Sequence, residues 1–177
     1  MKFALIGYSG CGKSTLAKFL GENYEIPVLH LDQVHWLPGW EEQEPEKEQE
    51  TVKEFMDRTS QWVIDGNYRS LEFERRMEEA DKILFFSFNR FACLFRAIKR
   101  FFENRGRTRE SMTEGCEEKI DWEFIRWILR DGRTKKHKDW YARIVRCYPK
   151  KVIIIKNQKE LDVFYCKIKQ RGKERQC

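Results

Sequence analysis

The chain has 177 residues, a length typical of one domain, and 41% of them are hydrophobic, which is enough for a packed core. Its net charge of +6 is unevenly divided, since residues 41–60 hold eight acidic and three basic residues whereas residues 126–151 hold ten basic and two acidic ones. No apolar run has the length of a membrane span and the N-terminus lacks a secretory pattern, so we expect a cytoplasmic protein without a membrane partner.

The first predicted element is a strand that leads through a glycine-rich loop into a helix. "KFALI", residues 2–6, is a short apolar run typical of a buried parallel strand. "GYSGCGKST" follows and fits the pattern G-x-x-x-x-G-K-[ST] without a gap. The next residues carry Leu16, Phe19 and Leu20 at helical spacing, and Gly21 is predicted to end that helix.

This spacing predicts a phosphate-binding loop rather than an ordinary glycine turn. Backbone N–H groups that converge in such a loop form an anion-binding nest, and the helix N-terminus is aimed at the same point. Lys13 would reach the outer phosphates of ATP, and the Ser14 hydroxyl would bind Mg²⁺. The predicted ATP-binding residues are Gly7, Gly10, Cys11, Gly12, Lys13, Ser14 and Thr15.

The rest of the chain alternates between predicted strands and helices. "IPVLHLD" reads as a second strand, followed by a Trp- and Pro-containing turn and an acidic helix whose inward face carries Val52, Phe55 and Met56. "QWVIDGNY", "KILFFSF" and "KKVIIIK" read as further strands, with helices between and after them. This alternation predicts an α/β fold of three layers, with a five-stranded parallel sheet and helices on both faces.

We predict one domain over residues 1–171. An acceptor-side helical segment lies over residues 36–60 and an arginine-rich lid over about 100–115, while residues 172–177 form a basic, frayed tail.

Two aspartates follow predicted strands, where open α/β sheets place ligand-binding residues. Asp32 ends the second strand and is a candidate for orienting an acceptor hydroxyl or a metal-bound water. Asp65 ends "WVID" and is a candidate metal and catalytic residue. The alternative for both is a turn: a capping aspartate at Asp32 and an Asp-Gly turn at Asp65.

Arginines crowd residues 96–109. Arg96 and Arg100 lie four residues apart and so share one helix face. The helix is expected to break at Gly106, which leaves Arg105, Arg107 and Arg109 in a loop. Because guanidinium groups suit phosphate oxygens, we predict that this loop closes over the transferred phosphoryl group; a merely solvated loop is the alternative.

The remaining reactive side chains show no metal or redox pattern. The three histidines share no metal spacing and are expected to be core or surface residues, and the six cysteines contain no C-x-x-C pair. Cys11 is the exception among the thiols, since its place in an electropositive loop predicts a lowered pKa and high reactivity. The tryptophans are expected to pack, although Trp36 and Trp40 could wall an acceptor pocket.

With these motifs assembled, the sequence resembles the bacterial DNA topology modulation protein (FlaR-related) family, P-loop proteins similar to adenylate and shikimate kinases. The matching stretches extend over most of residues 2–130 and are "IGYSGCGKSTLA", "VLHLDQVHWLPGW", "WVIDGNY", "NRGRTR" with the following Met112, and "DWEFIRWI". The resemblance implies a magnesium-side role for Asp65 and a phosphate contact for Arg69. The chain departs from the adenylate-kinase pattern at Asn67 and Tyr68, which replace Phe-Pro, and at Ser87, where an acidic residue is common.

The leading hypothesis is therefore a small ATP-dependent kinase with Mg²⁺, acting on a nucleoside, a nucleotide or another small hydroxyl compound. One alternative is a nucleotide-binding regulator that affects DNA topology through the basic C-terminal half, although no established DNA-reading motif is present. Another is a P-loop protein that binds nucleotide and hydrolyses it only slowly.

Overall fold

Five parallel strands form the central sheet of the computed structural model, which describes residues 1–174. The sheet order is β2-β5-β1-β6-β7, so the first strand lies in the middle and the chain proceeds to one edge before crossing to the other. A separate two-stranded hairpin pairs β3 with β4 in antiparallel fashion. The strands are β1 (Lys2–Gly7), β2 (Val28–His30), β3 (Trp36–Leu37), β4 (Glu41–Glu42), β5 (Trp62–Asp65), β6 (Lys82–Phe86) and β7 (Val152–Ile155).

Helices connect the strands and cover both faces of the sheet. They are α1 (Lys13–Tyr24), α2 (Leu31–His35), α3 (Pro45–Arg58), α4 (Phe73–Glu79), α5 (Arg90–Glu103), α6 (Trp122–Leu129), α7 (Lys135–Cys147) and α8 (Gln158–Glu174), with a 3-10 turn at Asp131–Arg133. Within residues 1–174, no helix combines the length and apolar character that crossing a membrane requires.

Alternate residues of β1 enter two different cores, because successive side chains of a strand point to opposite faces. Phe3 and Leu5 pack with residues of α1, α5, α6 and α8 on one face. Ala4 and Ile6 pack with residues of α3, α4 and α7 on the other. The predicted three-layer α/β fold with five parallel strands is therefore confirmed.

Two local predictions about the first helix and the second strand were wrong. Helix α1 does not end at Gly21 but continues to Tyr24, and Glu25 ends it in the left-handed conformation. Gly21 is buried instead, and a Cβ atom there would lie 2.3 Å from Cγ2 of Val28, so the glycine serves helix-to-strand packing. Strand β2 ends at His30, which places Asp32 in the first turn of α2 rather than at the strand end.

The acceptor-side segment and the C-terminus also differ in detail from the sequence predictions. The segment over residues 36–60 begins with the β3–β4 hairpin, and its helix α3 starts only at Pro45. Val52 and Met56 on α3 are buried as predicted, while Phe55 is half-buried. Helix α8 continues to Glu174, and residues 175–177 of the predicted tail lie outside the described residues.

Candidate functional site

The glycine-rich loop joins the end of β1 to the start of α1 at the carboxyl edge of the sheet. Gly12 caps α1 with φ 93°, a left-handed conformation that favours glycine. A Cβ atom on Gly12 would lie 2.7 Å from Nη1 of Arg96, so glycine also lets that guanidinium approach the loop. The loop thus has the backbone shape of an anion-binding nest that opens a helix.

Asn67 ties the base of the loop to the neighbouring strand. Its Oδ1 accepts a hydrogen bond from the backbone N–H of Gly7 at 2.9 Å, and its Nδ2 donates to the carbonyl oxygen of Gly7 at 2.7 Å. Asn67 follows β5, which pairs with β1 in parallel. Asn67 therefore holds the start of the glycine-rich loop against the sheet.

Two side chains from later helices lie against the same loop. Arg96 on α5 donates to the carbonyl oxygen of Cys11 at 2.8 Å, lies over the Phe88 ring at 4.7 Å and hydrogen-bonds to Gln158. Trp127 on α6 donates from Nε1 to the Ser9 hydroxyl at 3.2 Å. The loop is therefore enclosed by α5 and α6 as well as by its own strand and helix.

The environment of Cys11 corrects the prediction of a reactive thiol. Cys11 is fully buried, and burial raises the pKa of its thiol despite the nearby positive charge of Lys13. Since the thiolate is the reactive form, this thiol is suppressed rather than activated. The loop side chain points into the core beside α5, which the motif spacing does not reveal.

Lys13 lies within the cleft above the loop. Its Nζ donates to the carbonyl oxygen of Tyr8 at 3.1 Å. Burial lowers the pKa of Lys13, but the nearby carboxylates of Asp65 and Asp32 act in the opposite direction, and the pKa lies above its usual value. The ammonium group is therefore held charged where a phosphate would bind.

Asp65 ends β5 beside the loop and is 5% exposed. Its Oδ2 lies 3.2 Å from Nδ1 of His30, the residue that pairs with it in the β2–β5 register. Burial raises the pKa of Asp65, but the hydrogen bond from His30 and the charge of Lys13 outweigh it and lower the pKa. The Asp65 carboxylate is thus stabilised in its ionised form.

The residues near Asp65 fit Mg²⁺. Oδ1 of Asp65 is buried and has no hydrogen-bond partner among residues 1–174, and the Ser14 hydroxyl lines the same cleft. Both are hard oxygen donors of the kind Mg²⁺ prefers, and Mg²⁺ usually takes only one or two protein ligands beside phosphates and water. In the described part of the chain, no cluster of three or more His, Cys, Asp or Glu residues could hold a metal alone.

A second cluster of polar side chains surrounds Asp32. The Tyr68 hydroxyl donates to Oδ1 of Asp32 at 2.9 Å, and burial, followed by the Asp32 charge, raises the pKa of Tyr68. The Tyr68 ring lies 4.8 Å from the ring of His35, whose Nδ1 lies 2.6 Å from the buried Glu48 carboxylate of α3. Asp32 is therefore oriented by a chain of contacts that begins on α3.

Trp36 and Trp40 stand next to this group and line the cleft, with ring centroids 5.5 Å apart. The Nζ of Lys119 lies over the Trp40 ring at 4.7 Å. The two rings therefore form an aromatic wall at this end of the cleft, which is the alternative to simple packing that the sequence left open, and residues that follow α5 contribute to it.

The predicted arginine lid is only partly directed at the cleft. Arg109 and Arg100 both contact the buried carboxylate of Glu118, with Nε of Arg100 at 3.2 Å. Burial, followed by the positive charge of Arg109, lowers the pKa of Arg100. Arg105 and Arg107 are exposed and are not among the cleft-lining residues of the described chain.

The segment that follows α5 packs on the residues after β2 rather than standing alone. Gln33 donates to the carbonyl oxygen of Glu110 at 2.7 Å, and the Thr113 hydroxyl donates to that of Trp36 at 2.5 Å. The Cys116 thiol donates to the carbonyl oxygen of Leu37 at 3.1 Å. The arginine loop and the segment after β2 therefore form one continuous wall.

One cleft of about 2330 Å³ extends from the phosphate loop to Trp36 and Trp40 and to the arginine loop beside them. Most of the predicted site residues line it, namely Gly10, Gly12, Lys13, Ser14, Thr15, Asp32, Asp65, Arg69 and Arg109. Gly7, the last residue of β1, and Cys11, whose side chain is buried in the core, are not among the residues that line the cleft in the described chain. Arg69 is exposed and its guanidinium lies 5.1 Å from the Trp140 ring centroid.

Sequence reasoning missed several residues of the site. The sequence analysis treated His30 as an ordinary core or surface residue, but its imidazole contacts the Asp65 carboxylate. The signal that could have revealed this contact is that His30 and Asp65 end neighbouring strands. Arg96 was visible only as one member of an arginine-rich helix face. Glu118 and Trp127 carried no signal, because they reach the cleft only through the packing of residues far apart in the chain.

No family model matches the chain, and no curated protein matches it. Among solved structures, the chain is similar to an uncharacterized protein from Eubacterium ventriosum ATCC 27560, with 16% identity and a TM-score of 0.51 over 98% of both chains. This likeness supports the fold and leaves membership of the topology modulation family a prediction.

Two kinases are also similar to the chain. Deoxyadenosine kinase from M. mycoides has 11% identity and a TM-score of 0.49, over 96% of this chain and 100% of that chain. Shikimate kinase from Bacteroides thetaiotaomicron has 15% identity and a TM-score of 0.45, over 96% of each chain.

Proposed function

We propose that the chain is an ATP-dependent phosphotransferase that transfers a phosphoryl group to a hydroxyl of a small acceptor. The observation that carries this proposal is that Lys13, Asp65 and Asp32 line one cleft, with the phosphate loop at one end and an aromatic wall at the other. Phosphoryl transfer requires mainly charge neutralisation and alignment, and these residues supply both.

The phosphate end would bind ATP through the loop N–H groups and Lys13. Ser14 and Asp65 would hold Mg²⁺. When bound, ATP supplies the phosphoryl group and Mg²⁺ neutralises the charge of its phosphates. Arg96 keeps the loop in shape by its bond to the Cys11 carbonyl oxygen, and Asn67 does so from the opposite side.

The acceptor end would bind the hydroxyl compound near Asp32. The Asp32 carboxylate would be the base that accepts the hydroxyl proton while the acceptor oxygen bonds to the γ-phosphorus of ATP and the bond from that phosphorus to the leaving ADP oxygen breaks. Tyr68 holds this carboxylate through Oδ1, which leaves Oδ2 for the acceptor. Trp36 and Trp40 provide a surface on which a planar acceptor could stack.

One cluster of charged side chains at the acceptor end favours an acceptor with an anionic group. Arg100 and Arg109 share one buried carboxylate, Glu118, so this triad keeps a net positive charge. A phosphate or carboxylate on the acceptor would balance that charge and occupy the remaining guanidinium N–H groups. We therefore favour a nucleotide or another anionic hydroxyl compound over a neutral nucleoside.

The test is ADP release from Mg²⁺-ATP in the presence of nucleosides, nucleoside monophosphates, hydroxy acids and small polyols. We expect stimulation by an acceptor, most strongly an anionic one, and its loss in Asp32→Asn but not in the control Asp139→Asn, which changes an exposed residue of α7. Arg100→Lys keeps the charge but loses the planar fork, and it should raise KM for anionic acceptors only.

Two outcomes would contradict the proposal. ATP binding without stimulation by any acceptor would indicate slow hydrolysis only. If the chain binds DNA with an affinity that falls steeply with salt and shows no acceptor-dependent turnover, it is a nucleotide-binding regulator that acts on DNA.

A further inference from the structure

Helix α5 presents an uncovered apolar stripe to the outside of the molecule. Phe91, Phe95 and Phe102 are 68%, 69% and 67% exposed, and Ile98 is 36% exposed. Cys93 and Ala97 on the opposite face are fully buried. Large apolar side chains concentrated on one helix face mark an interaction surface more often than isolated ones do.

The spacing of the stripe is that of a helix pair. The four residues are separated by four, three and four positions, which is the alternation of a and d positions in a two-helix seam. In an antiparallel pair centred between residues 96 and 97, Phe91 of one copy meets Phe102 of the other, and Phe95 meets Ile98. The stripe is therefore complementary to itself under a two-fold axis.

The ends of α5 favour the antiparallel direction. The helix dipole is positive at Arg90, which begins α5, and negative at Glu103, which ends it. Antiparallel pairing brings these oppositely charged ends together, whereas parallel pairing would bring like ends together.

The exposed area is of the size that a dimer needs. A phenylalanine buries about 150–250 Å² when covered, so three that are two-thirds exposed offer roughly 300–500 Å² per copy. Two copies would bury roughly 600–1,000 Å² from these rings alone. Ile98 and the half-buried Leu94 and Phe101 on one flank bring the total to at most about 1,200 Å², the lower limit of specific interfaces.

We propose that the chain forms a two-fold homodimer through antiparallel pairing of α5, with the stripe of Phe91, Phe95, Ile98 and Phe102 as the seam. The interface would lie one helix away from the phosphate loop, because Gly10 packs against Cys93 and Ala97 on the inner face of α5. Phe95 also lines the cleft, so the partner copy would border the cleft mouth. The proposal is independent of the reaction catalysed.

The first test is the mass of the full chain in solution, measured by sedimentation equilibrium at about 1–100 μM, the range in which a modest interface dissociates. We expect a dimer in the unmodified chain and a monomer in Phe95→Glu. The matched control Val163→Glu adds the same charge at an exposed apolar residue of α8 and should remain dimeric. A monomer at every concentration, or a dimer that persists in Phe95→Glu with unchanged circular dichroism, would overturn the proposal.

The second test reports the direction of pairing. In a background of Cys147→Ser, Cys166→Ser and Cys177→Ser, a Phe91→Cys chain mixed with a Phe102→Cys chain should form a disulfide-linked dimer on oxidation. Neither chain should link to itself, because residues 91 and 102 are about 16 Å apart along a helix axis. Linkage of Phe91→Cys to itself would indicate parallel pairing, and no linkage in the mixture would exclude α5 as the seam.

Discussion

The two ends of the cleft are built in different ways. At the phosphate end, Gly12, Lys13 and Ser14 are neighbours in sequence, and a single strand-loop-helix unit positions them. At the acceptor end, Asp32, Tyr68 and Glu118 come from three distant segments and are held by hydrogen bonds and ion pairs. The phosphate end is therefore a local structure, whereas the acceptor end depends on the whole fold.

The two ends of the cleft therefore differ in what they indicate about function. A phosphate loop has the same task in every protein that binds a nucleotide there, so its residues say little about the acceptor. The aromatic wall, the triad of Arg100, Glu118 and Arg109, and the segment that packs on Trp36 surround the position proposed for the acceptor. Changes at the phosphate end should weaken the binding of ATP, and changes at the acceptor end should alter turnover and acceptor choice.

The largest effect is expected at Lys13. Lys13→Ala should weaken Mg²⁺-ATP binding about 30-fold or more, because removing one partner of a desolvated charge pair costs about 2–5 kcal/mol. Isothermal titration calorimetry measures this, with exposed Lys53→Ala on α3 as the control. Unchanged ATP affinity in a folded Lys13→Ala chain would show that the nucleotide does not bind at this loop.

Single alanine variants of the arginine loop test how much of it acts on the cleft. Arg109→Ala should lower acceptor-dependent kcat about tenfold or more, since hydrogen bonds to charged groups contribute about 1.5–3 kcal/mol. Arg105→Ala and Arg107→Ala should stay within about twofold, because both side chains are exposed away from the cleft.

Comparable losses from all three arginine variants would instead show that the whole loop closes over the phosphoryl group. Steady-state rates at saturating ATP, with ATP affinity measured separately, distinguish these outcomes. Arg109→Lys should rescue poorly in either case, because lysine lacks the guanidinium fork.

Tyr68→Phe should have a smaller effect confined to the acceptor end. Loss of the hydrogen bond to Asp32 should reduce kcat/KM for the acceptor about three- to tenfold, less than the full contribution of a hydrogen bond to a charged group, because the bond orients Asp32 and does not touch the acceptor. ATP affinity should not change. Tyr148→Phe at the end of α7 is the control, and an equal loss in ATP affinity for Tyr68→Phe would contradict the separation of the two ends.

The smallest effect concerns acid stability at Asp65. The pKa of Asp65 is lower in the folded chain, so the unfolded chain takes up the proton first as pH falls. The resulting stabilisation is complete above the unfolded pKa of about 3.9 and disappears as pH falls through the folded pKa. Each pKa unit corresponds to about 1.4 kcal/mol, or a few degrees in Tm for a chain of this length.

Thermal unfolding between neutral pH and about pH 3 measures this difference, since the unfolded aspartate titrates within that range. Asp65→Asn should lose less stability on acidification than the unmodified chain, and exposed Asp139→Asn should behave like the unmodified chain. If the unfolding temperature falls with pH equally in the unmodified chain and in Asp65→Asn, then His30 and Lys13 do not stabilise the Asp65 carboxylate.

The amino-acid sequence by itself determined the sheet, the phosphate loop and most of the helices. The five apolar runs, the spacing of Gly7, Gly12, Lys13 and Ser14, and the position of Asp65 at a strand end are local signals, and the structure contains all of them. Local signals suffice here because strand periodicity and loop geometry depend on residues that are close in sequence.

Only the tertiary structure decided the chemical environment of the site. Cys11 looked reactive in the motif, but packing against α5 buries its thiol and raises its pKa. His30 and Glu118 became part of the site through a strand register and a loop contact, and Arg105 and Arg107 were left outside the cleft. Burial and charge proximity arise from residues far apart in the chain, so no sequence window contains the groups that set them.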